Sequence, residues 1–536
     1  MSGKKSRRPF LALLGVALVA VLALACASGG NGAAASASQA AGSRTVATAD
    51  GLVRGTTSGA LREFLGIPYA APPVGSLRWQ PPAPVAPWPG VREATAFAPH
   101  CPQQASDFGI ASTSENCLYL NVFAPAGSAG KQLPVMVWLH GGSLVYGESD
   151  DYNPASLVSQ GVIVVTLNYR IGALGFLADS ALAGKPGGAT GDYGLMDQQA
   201  ALRWVQRNIG GFGGDSRRVT LFGESAGGLS VLSQLTSPGA RGLFSAAIVE
   251  SGTYALTEQT EATAESSGAA FAAKVGCTPT GDSATGAACL RALPVQTIID
   301  NENLIYDPDI DGKVLSQSVG TALRAGDFSR VPVVIGTNHD EWRLFVAIDT
   351  LIGSPATAAN YQSMIASTLG VAGTEAATIA ARYPLSAYAS PSVALGAVGT
   401  DAIFACPALT AEDSLARYVP TYAYEFNDEN APERYLPPAG FPYGAAHESE
   451  VQYLFDLRNT PQPGVLSSAQ QSLAAVMRQD WTQFAKTGTP TRPGGWPGFS
   501  LAAPLTLSLV PPQPRVEAGY GAEHQCGFWT TVAVSS

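Results

Sequence analysis

The chain has 536 residues and a formal net charge of −10, with 46% hydrophobic and 13% charged residues. This apolar fraction is typical of a folded globular protein and excludes a largely disordered chain. The negative charge argues against nucleic acid as a partner, because binding to phosphate groups depends on clustered lysine and arginine side chains.

The amino-terminal segment, residues 1–25, predicts export. Basic residues precede an apolar stretch of sixteen residues, Phe10–Ala25. The sequence SRRPFL at 6–11 resembles a twin-arginine export signal, and LALAC at 22–26 resembles a bacterial lipobox, whose cysteine becomes the lipidated first residue. The alternative is an uncleaved membrane anchor, but the apolar stretch falls short of the roughly 20 residues that span a bilayer. We therefore expect cleavage and membrane attachment through Cys26.

The sequence predicts three segments: the signal peptide, a flexible tether over 26–43, and a single domain over 44–536. The tether is rich in Ala, Ser and Gly. Six cysteines remain after the lipobox, an even number that suits disulfide formation in an oxidising compartment. Their spacing does not match a zinc site, so no metal is expected. We expect a cell-envelope lipoprotein or a secreted or periplasmic protein, and the oligomeric state stays open.

Proline-rich residues 44–100 predict an irregular covering segment with edge strands and no chemistry. After it, five apolar runs without polar alternation predict strands that are buried on both faces. These runs are 133–140, 161–169, 218–223, 245–252 and 331–336. Between the second and third runs, apolar residues recur at helical spacing until glycines end the helix. The pattern predicts an α/β fold with a mostly parallel central sheet flanked by helices.

The first apolar run ends in the sequence VWLHGGSL, where His140 precedes Gly141 and Gly142. This resembles the H-G-G-G turn whose backbone N–H groups bind a developing oxyanion. The alternative interpretation is a simple Gly-Gly turn.

The sequence LFGESAGG at 221–228 fits the pattern G-x-S-x-G with Ser225 at its centre. Glycines at 223 and 227 permit the sharp turn from strand to helix that exposes a nucleophilic hydroxyl. The pattern also occurs by chance in glycine-rich chains, so its interpretation depends on catalytic partners. Ser225 follows a predicted parallel strand, at the edge where α/β sheets bind their ligands.

A nucleophilic serine needs an imidazole as base and a carboxylate that orients the imidazole. In α/β-hydrolases these residues follow the serine in the order acid, then base, which leaves His339, His447 and His524. His339 lies too close to the candidate acids, and His524 is two residues from Cys526, so a disulfide would hold it away from the site. His447 is therefore the predicted base.

Two acids, Asp340 and Glu341, follow the run 331–336, and residue chemistry alone does not choose between them. The sequence DPDIDGKV at 307–314 lacks the spacing of a calcium loop and predicts a turn at Asp311 and Gly312. We assign no catalytic role to that turn.

From about residue 44 to the carboxyl terminus, the chain resembles the type-B carboxylesterases, the carboxylesterase and cholinesterase family of α/β-hydrolases. The resemblance rests on ordered motifs: FLGIPYAAPPVG, SENCLYLNVF, VMVWLHGGS, GDYGLMDQQAALRWVQRNIGGFGGD, VTLFGESAGG, GTNHDE and DWTQFAKTGTP. It implies an α/β-hydrolase fold and a serine ester hydrolase that works through an acyl-enzyme on small-molecule esters without a cofactor.

The resemblance also assigns roles to individual residues. It implies that Ser225 is the nucleophile, Glu341 the acid and His447 the base. The other implied positions are the oxyanion N–H groups of Gly142, Ser143 and Ala226, the acidic residues Glu224 and Glu450 beside the triad, and the disulfides Cys101–Cys117, Cys277–Cys289 and Cys406–Cys526.

Departures from the family pattern bear on the substrate. Ser143 stands where glycine is usual, and Leu144 stands where an aromatic residue is usual. The segment between Cys101 and Cys117 has no tryptophan to hold a choline cation, and Phe108 is its one aromatic residue. We expect neutral short-acyl or aromatic esters in an apolar pocket, beside Leu144, that lacks a fixed charge. The alternatives are a long-chain lipase and a non-catalytic adhesion module, against which the intact triad argues.

Overall fold

The computed structural model describes residues 44–532 except 184–189, 279–282, 304–305 and 491–494. The predicted signal peptide, Cys26 and the tether lie outside the described residues. The described part of the chain forms one compact unit.

The architecture is built on one large, twisted sheet. In chain order, the described strands are β1 (Thr45–Thr48), β2 (Gly51–Arg54), β3 (Thr56–Ser58), β4 (Leu61–Pro68), β5 (Val91–Glu93), β6 (Tyr119–Pro125), β7 (Leu133–Leu139), β8 (Tyr152–Asn153), β9 (Ile163–Leu167), β10 (Gly214–Glu224), β11 (Ala246–Glu250), β12 (Gln259–Thr260), β13 (Asp309–Ile310), β14 (Val333–Asn338), β15 (Thr421–Phe426), β16 (Asp456–Leu457), β17 (Leu505–Leu509) and β18 (Arg515–Ala518). Within the described residues, the large sheet has the strand order β18-β17-β15-β14-β11-β10-β7-β9-β6-β4-β3.

The centre of this sheet is parallel, from β9 through β7, β10, β11, β14 and β15 to β17. Antiparallel strands complete it at both ends. Every residue of β9 and β11 is buried, as the continuous apolar runs predict for strands that are covered on both faces. The predicted α/β fold with a mostly parallel sheet is therefore confirmed.

The strand β10 is longer than its apolar run, because it begins at Gly214 rather than at Arg218. Its pairing with β7 shifts register between Gly214 and Val219. The residues in this irregular part are largely polar, so a pattern based on apolar residues does not detect the first part of the strand.

Helices cover both faces of the sheet. The described α-helices are Ala155–Val158, Gly172–Phe176, Tyr193–Phe212, Ala226–Thr236, Glu261–Lys274, Ser283–Ala292, Val295–Ile299, Val319–Ala325, Arg343–Leu351, Tyr361–Leu369, Gly373–Arg382, Pro391–Gly399, Cys406–Ala416, Val451–Leu454, Ser468–Thr487, Tyr520–Glu523 and Cys526–Trp529, and a π-helical segment spans Thr400–Ala405. Short 3₁₀ segments are Gly75–Leu77, Ser180–Ala183, Pro238–Ala240 and Leu385–Ala387. The predicted helix before β10 ends at Gly213, whose φ of 99° requires glycine.

The segment Pro391–Ala416 forms one long helix with a π-helical turn inside it. It is long and apolar enough to span a membrane, but 67% of its apolar window is buried inside the protein. Core packing therefore accounts for its apolar side chains. The π-helical turn carries Phe404 to the candidate site described below.

The structure contains the three disulfides that the family resemblance implies. They join Cys101 to Cys117, Cys277 to Cys289, and Cys406 to Cys526. The third bridge closes a separation of 120 residues and ties the long apolar helix to the carboxyl-terminal helix.

Candidate active site

Ser225 occupies the sharp turn between β10 and the helix Ala226–Thr236. Its φ of 55° and ψ of −122° are unusual for a residue with a side chain. The turn is tight, because a Cβ atom on Gly227 would lie 2.0 Å from the carbonyl oxygen of Leu139. The Ser225 N–H donates to the carbonyl of Glu250 on the neighbouring strand, at 2.9 Å. The turn therefore holds the Ser225 hydroxyl above the carboxyl ends of the parallel strands.

His447 lies between the serine and a carboxylate. Its Nε2 is 2.8 Å from Ser225 Oγ, and its Nδ1 is 2.6 Å from Glu341 Oε2. Glu341 is fully buried, and its Oε1 accepts the backbone N–H of Asn338 at 2.8 Å. A carboxylate on Nδ1 favours the tautomer with a bare Nε2, which can accept the serine proton. The structure thus brings together the three residues that the sequence singles out.

The other candidate acid, Asp340, faces away from this arrangement. Its Oδ1 contacts His339 and Arg343, and its Oδ2 accepts the backbone N–H of Ala445. Asp340 therefore shapes the segment before His447 instead of contacting its ring.

The other two candidates for the base, His339 and His524, are held in ion pairs away from the serine. His524 lies between Asp401 and Glu425, at 2.6 Å from each. Burial lowers the pKa of His524, but the hydrogen bonds to these two carboxylates outweigh it and raise the pKa to about 10. His339 contacts Asp340 and Glu523. Neither imidazole shares a contact with Ser225.

The glycine turn after β7 approaches the serine closely. A Cβ atom on Gly141 would lie 3.0 Å from Ser225 Cβ, and one on Gly142 would lie 2.4 Å from the Tyr146 carbonyl oxygen. Gly142 has a φ of 97°, and Ser143 adopts a φ of 55° despite its side chain. Among the described residues, the N–H groups of Gly142, Ser143 and Ala226 have no hydrogen-bond acceptor. They are available to an oxyanion.

His140 supports this turn from beneath. Its ring stacks on Tyr169 with centroids 4.4 Å apart, and the Tyr169 hydroxyl donates to the His140 carbonyl at 2.7 Å. Burial lowers the pKa of His140 to about 4, so the ring is neutral at physiological pH. A neutral, stacked imidazole fits a structural role.

Buried glutamates surround the triad. Glu224 Oε1 lies 3.3 Å from His447 Nε2, and Glu450 Oε2 accepts from the side chain of Asn338 at 2.5 Å. Burial, followed by the charges of neighbouring glutamates, raises the pKa of Glu224 well above its usual value. Burial and the Glu341 charge raise the pKa of Glu450 to about 7.

Sequence reasoning missed other members of this buried layer. They are Glu250, whose carboxylate accepts the indole N–H of Trp481, and Asn338, which bridges Glu341 and Glu450. Glu448, which is partly exposed, acts on Glu224 through its charge. The one available signal was the position of Asn338 and Glu250 at the ends of strands that flank the nucleophile.

The serine opens into a cavity of about 540 Å³. Its apolar walls include Tyr254, Tyr306, Trp342, Phe345, Ile403 and Phe404. The rings of Phe345 and Phe404 lie 5.3 and 5.0 Å from the His447 ring. An apolar, aromatic cavity around the reacting groups suits the organic portions of an ester.

Two expectations about this cavity are wrong. Leu144 is fully buried in the core below the turn and does not line the cavity. The expected absence of a fixed charge also fails, because Glu258 and Asp307 lie in the cavity wall. Phe108 stacks on Tyr435 and lines a separate, smaller cavity. No motif in the sequence predicts these walls, since their residues come from distant segments.

Comparisons with known proteins agree with this geometry. A sequence model of the carboxylesterase family matches residues 42–529. The chain is 36% identical to the para-nitrobenzyl esterase of Bacillus subtilis over 486 residues, which cover 87% of this chain and 94% of that protein. It is 35% identical to the cocaine esterase of Oryctolagus cuniculus, with 89% and 92% coverage. It is 34% identical to the fumonisin B1 esterase of Sphingopyxis macrogoltabida, with 84% coverage of each chain.

Proposed function

The chain belongs to the carboxylesterase family and is a serine carboxylic-ester hydrolase; from this premise, we propose that Ser225, His447 and Glu341 form its catalytic triad. The observation that carries the proposal is the pair of contacts made by His447, 2.8 Å to Ser225 Oγ and 2.6 Å to Glu341 Oε2. A base between a nucleophile and an orienting carboxylate is the arrangement that acyl transfer requires.

In the proposed reaction, Ser225 Oγ attacks the ester carbonyl while His447 Nε2 takes the hydroxyl proton. Glu341 holds the Nδ1–H and stabilises the imidazolium that forms. His447 then protonates the departing alcohol, which leaves an acyl group on Ser225. A water molecule, deprotonated by His447, attacks this acyl-enzyme and releases the carboxylic acid.

We assign the oxyanion of both tetrahedral intermediates to the N–H groups of Gly142, Ser143 and Ala226. Their lack of other acceptors among the described residues supports this assignment. Each such donor typically contributes about 10² to 10³-fold in rate, because it is already oriented before charge develops.

Covalent labelling tests the nucleophile directly. An aryl phosphate triester that phosphorylates active serines should add one adduct per chain, and peptide mass spectrometry should locate it on Ser225. The matched control is Ser233→Ala, which alters a buried serine two turns along the same helix. Labelling that persists in Ser225→Ala would overturn the assignment.

For the substrate, we propose neutral esters with short acyl or aromatic groups. The aromatic cavity supports this class, and the carboxyl groups of Glu258 and Asp307 add a constraint. Burial raises the pKa of Glu258 to about 7, so this carboxyl group is partly ionised near neutral pH. The two groups should repel an ester that carries its own carboxylate.

A matched pair of substrates tests this class. We expect p-nitrophenyl butyrate to be hydrolysed with a higher kcat/KM than p-nitrophenyl hemisuccinate, which adds a carboxylate at similar size. Burial raises the pKa of Asp307, and Asp307→Asn, which replaces this ionisable carboxyl group by an amide of similar shape, should narrow the difference. Acetylthiocholine and p-nitrophenyl palmitate extend the comparison. A preference for the first would indicate a choline esterase, and a preference for the second would indicate a long-chain lipase.

A non-catalytic adhesion module is the alternative from another class. The contacts of His447 with Ser225 and Glu341 argue against it, because a binding surface has no need of this aligned triad.

We also propose that residues 1–25 are a cleaved export signal and that Cys26 carries a lipid. The three disulfides are compatible with an exported protein. Residues 26–43 would then tether a single catalytic domain to the membrane. Cys26→Ser should move the protein from the membrane to the soluble fraction, and wild-type protein without a lipid would refute the proposal.

A further inference from the structure

A cluster outside the triad brings together His100, Glu148 and Asp150. His100 directly precedes Cys101, and the two acids follow the glycine turn. One potential ligand atom from each side chain lies within 4.8 Å of the other two. The proposed ester hydrolysis uses none of the three.

Hydrogen bonding within the protein leaves these side chains incompletely satisfied. His100 Nε2 lies 2.9 Å from Asp150 Oδ1, but the contact lacks hydrogen-bond geometry, and in the described part of the chain this oxygen has no hydrogen-bond partner. Glu148 is 4% exposed. One of its oxygens accepts the backbone N–H of Ile110 at 3.2 Å, and the described residues provide no partner for the other. The buried acceptor without a hydrogen bond is thus Asp150 Oδ1, and a cation beside it would satisfy this oxygen.

The composition of the cluster indicates the kind of cation. A metal ion binds the deprotonated ligands, and with the imidazole neutral and both carboxyl groups ionised the cluster has a formal charge of −2, which a divalent ion balances. Imidazole nitrogen with carboxylate oxygen suits Zn²⁺ and similar transition ions, whereas Ca²⁺ and Mg²⁺ prefer oxygen alone. Ligand atoms bound at about 2.0 to 2.2 Å around a tetrahedral ion lie roughly 3.3 to 3.6 Å apart. His100 Nε2 and Asp150 Oδ1 are 2.9 Å apart, so the two atoms would move apart by roughly 0.5 Å around the ion.

We propose that His100, Glu148 and Asp150 bind a divalent transition-metal ion of the Zn²⁺ type. The side chains of His100 and Asp150 are 14% and 19% exposed, so the ion can reach them from solvent and keep a water ligand. The expectation that the protein has no metal site rested on cysteine spacing, and these ligands are too far apart in sequence to form a motif.

The site would act as a structural clip. It joins the residue before the Cys101–Cys117 bridge to the segment that follows the oxyanion turn. Glu148 lines a small cavity together with Gly141 and Gly142. An ion at Glu148 would therefore restrain the turn without contacting the substrate, and its principal effect should be on stability.

Equilibrium dialysis of metal-stripped, tag-free protein against ZnCl₂, followed by elemental analysis, tests the proposal. We expect one Zn²⁺ per chain and a higher melting temperature with Zn²⁺ than with EDTA. His100→Ala and the milder Asp150→Asn should each weaken Zn²⁺ binding at least tenfold and abolish the thermal shift. The matched control is His339→Ala, because His339 contacts two carboxylates through opposite ring nitrogens and cannot gather them on one ion.

Several outcomes would overturn the site. One is no stoichiometric Zn²⁺ on the wild-type protein. Another is equal Zn²⁺ binding by wild type and His100→Ala, which would place the ion elsewhere, for example on His447. A third is a decrease in melting temperature, from wild type to His100→Ala, that is the same with and without Zn²⁺. That result would show that His100 and Asp150 stabilise the protein as an ion pair without a metal. If the variants do not fold, the visible absorption spectrum of Co²⁺-loaded wild-type protein replaces them as a test. A spectrum without the bands of Co²⁺ bound by nitrogen and oxygen ligands would also overturn the site.

Discussion

Glu224 Oε1 lies 3.3 Å from His447 Nε2, the same nitrogen that contacts Ser225. The carboxyl group is fully buried, and this oxygen has no hydrogen-bond partner within the described residues. Burial and the charges of Glu448, Glu450 and other glutamates raise its pKa well above the usual value. Burial therefore favours the neutral, protonated form of Glu224.

Glu224→Gln should accordingly have a small effect. The amide is neutral, like the form of the carboxyl group that burial favours, and it has a similar shape. We therefore expect kcat/KM for p-nitrophenyl butyrate to fall by no more than about tenfold, or about 1.4 kcal/mol in transition-state stabilisation. Glu224→Ala should cost more, because it leaves a void beside the imidazole. A loss beyond about a hundredfold in the glutamine variant would instead indicate an ionised Glu224 that stabilises the imidazolium.

Glu341→Gln and Asp340→Asn separate two adjacent acids. In Glu341→Gln, Oε1 can still accept the Asn338 N–H, but an amide NH₂ would face Nδ1 and favour the wrong tautomer of His447. We expect kcat to fall by on the order of 10³ to 10⁴-fold. Asp340→Asn can still accept the Ala445 N–H and should retain most activity. Equal losses in the two variants, or the reverse ranking, would contradict the assignment of Glu341.

Stability should fall as the pH rises from about 5 to about 8. Burial, followed by the charges of Asp413 and Glu425, raises the pKa of Glu412 to about 8. The folded state therefore binds more protons than the unfolded state above pH 4.5, and this contribution to stability disappears as the pH passes 8. The raised pKa of His524, about 10, adds a loss of the same sign between about pH 6.5 and 10.

Thermal melts at pH 5 and pH 8 test this dependence. The melting temperature should be lower at pH 8, and Glu412→Gln should reduce the difference by removing one ionisation. Glu429→Gln, at an exposed carboxyl group, is the matched control and should melt like the wild type at both values. A wild-type melting temperature that rises toward pH 8 would show that other groups dominate.

The parts of the structure that sequence could predict are those set by local pattern. Continuous apolar runs predicted the central strands because both faces of β9 and β11 are covered. The G-x-S-x-G motif and the order of acids and histidines predicted Ser225 and His447. The sharp turn requires small residues beside the serine, and proton transfer requires an imidazole, so both restrict the residue types that can occur. The choice of Glu341 over Asp340 required the family resemblance, as did the disulfide pairing.

Features that depend on tertiary packing escaped prediction. Phe404 reaches the site on a π-helical turn, and Glu258 and Asp307 come from segments far from the triad in sequence. Leu144 follows the oxyanion turn with a φ of 57°, and its side chain packs inward, fully buried in the core. No periodicity or motif in the sequence predicts which distant side chains lie together in the folded protein.

The most direct test of the account is the hydrolysis of p-nitrophenyl butyrate by Ser225→Ala. Removal of the nucleophile should lower kcat/KM by about 10⁴-fold or more. The melting temperature should stay close to that of the wild type, because the substitution removes a single oxygen atom whose hydrogen bond among the described residues is the one to His447. A correctly folded Ser225→Ala enzyme that keeps more than about a tenth of wild-type activity would contradict the assignment of Ser225 as the nucleophile.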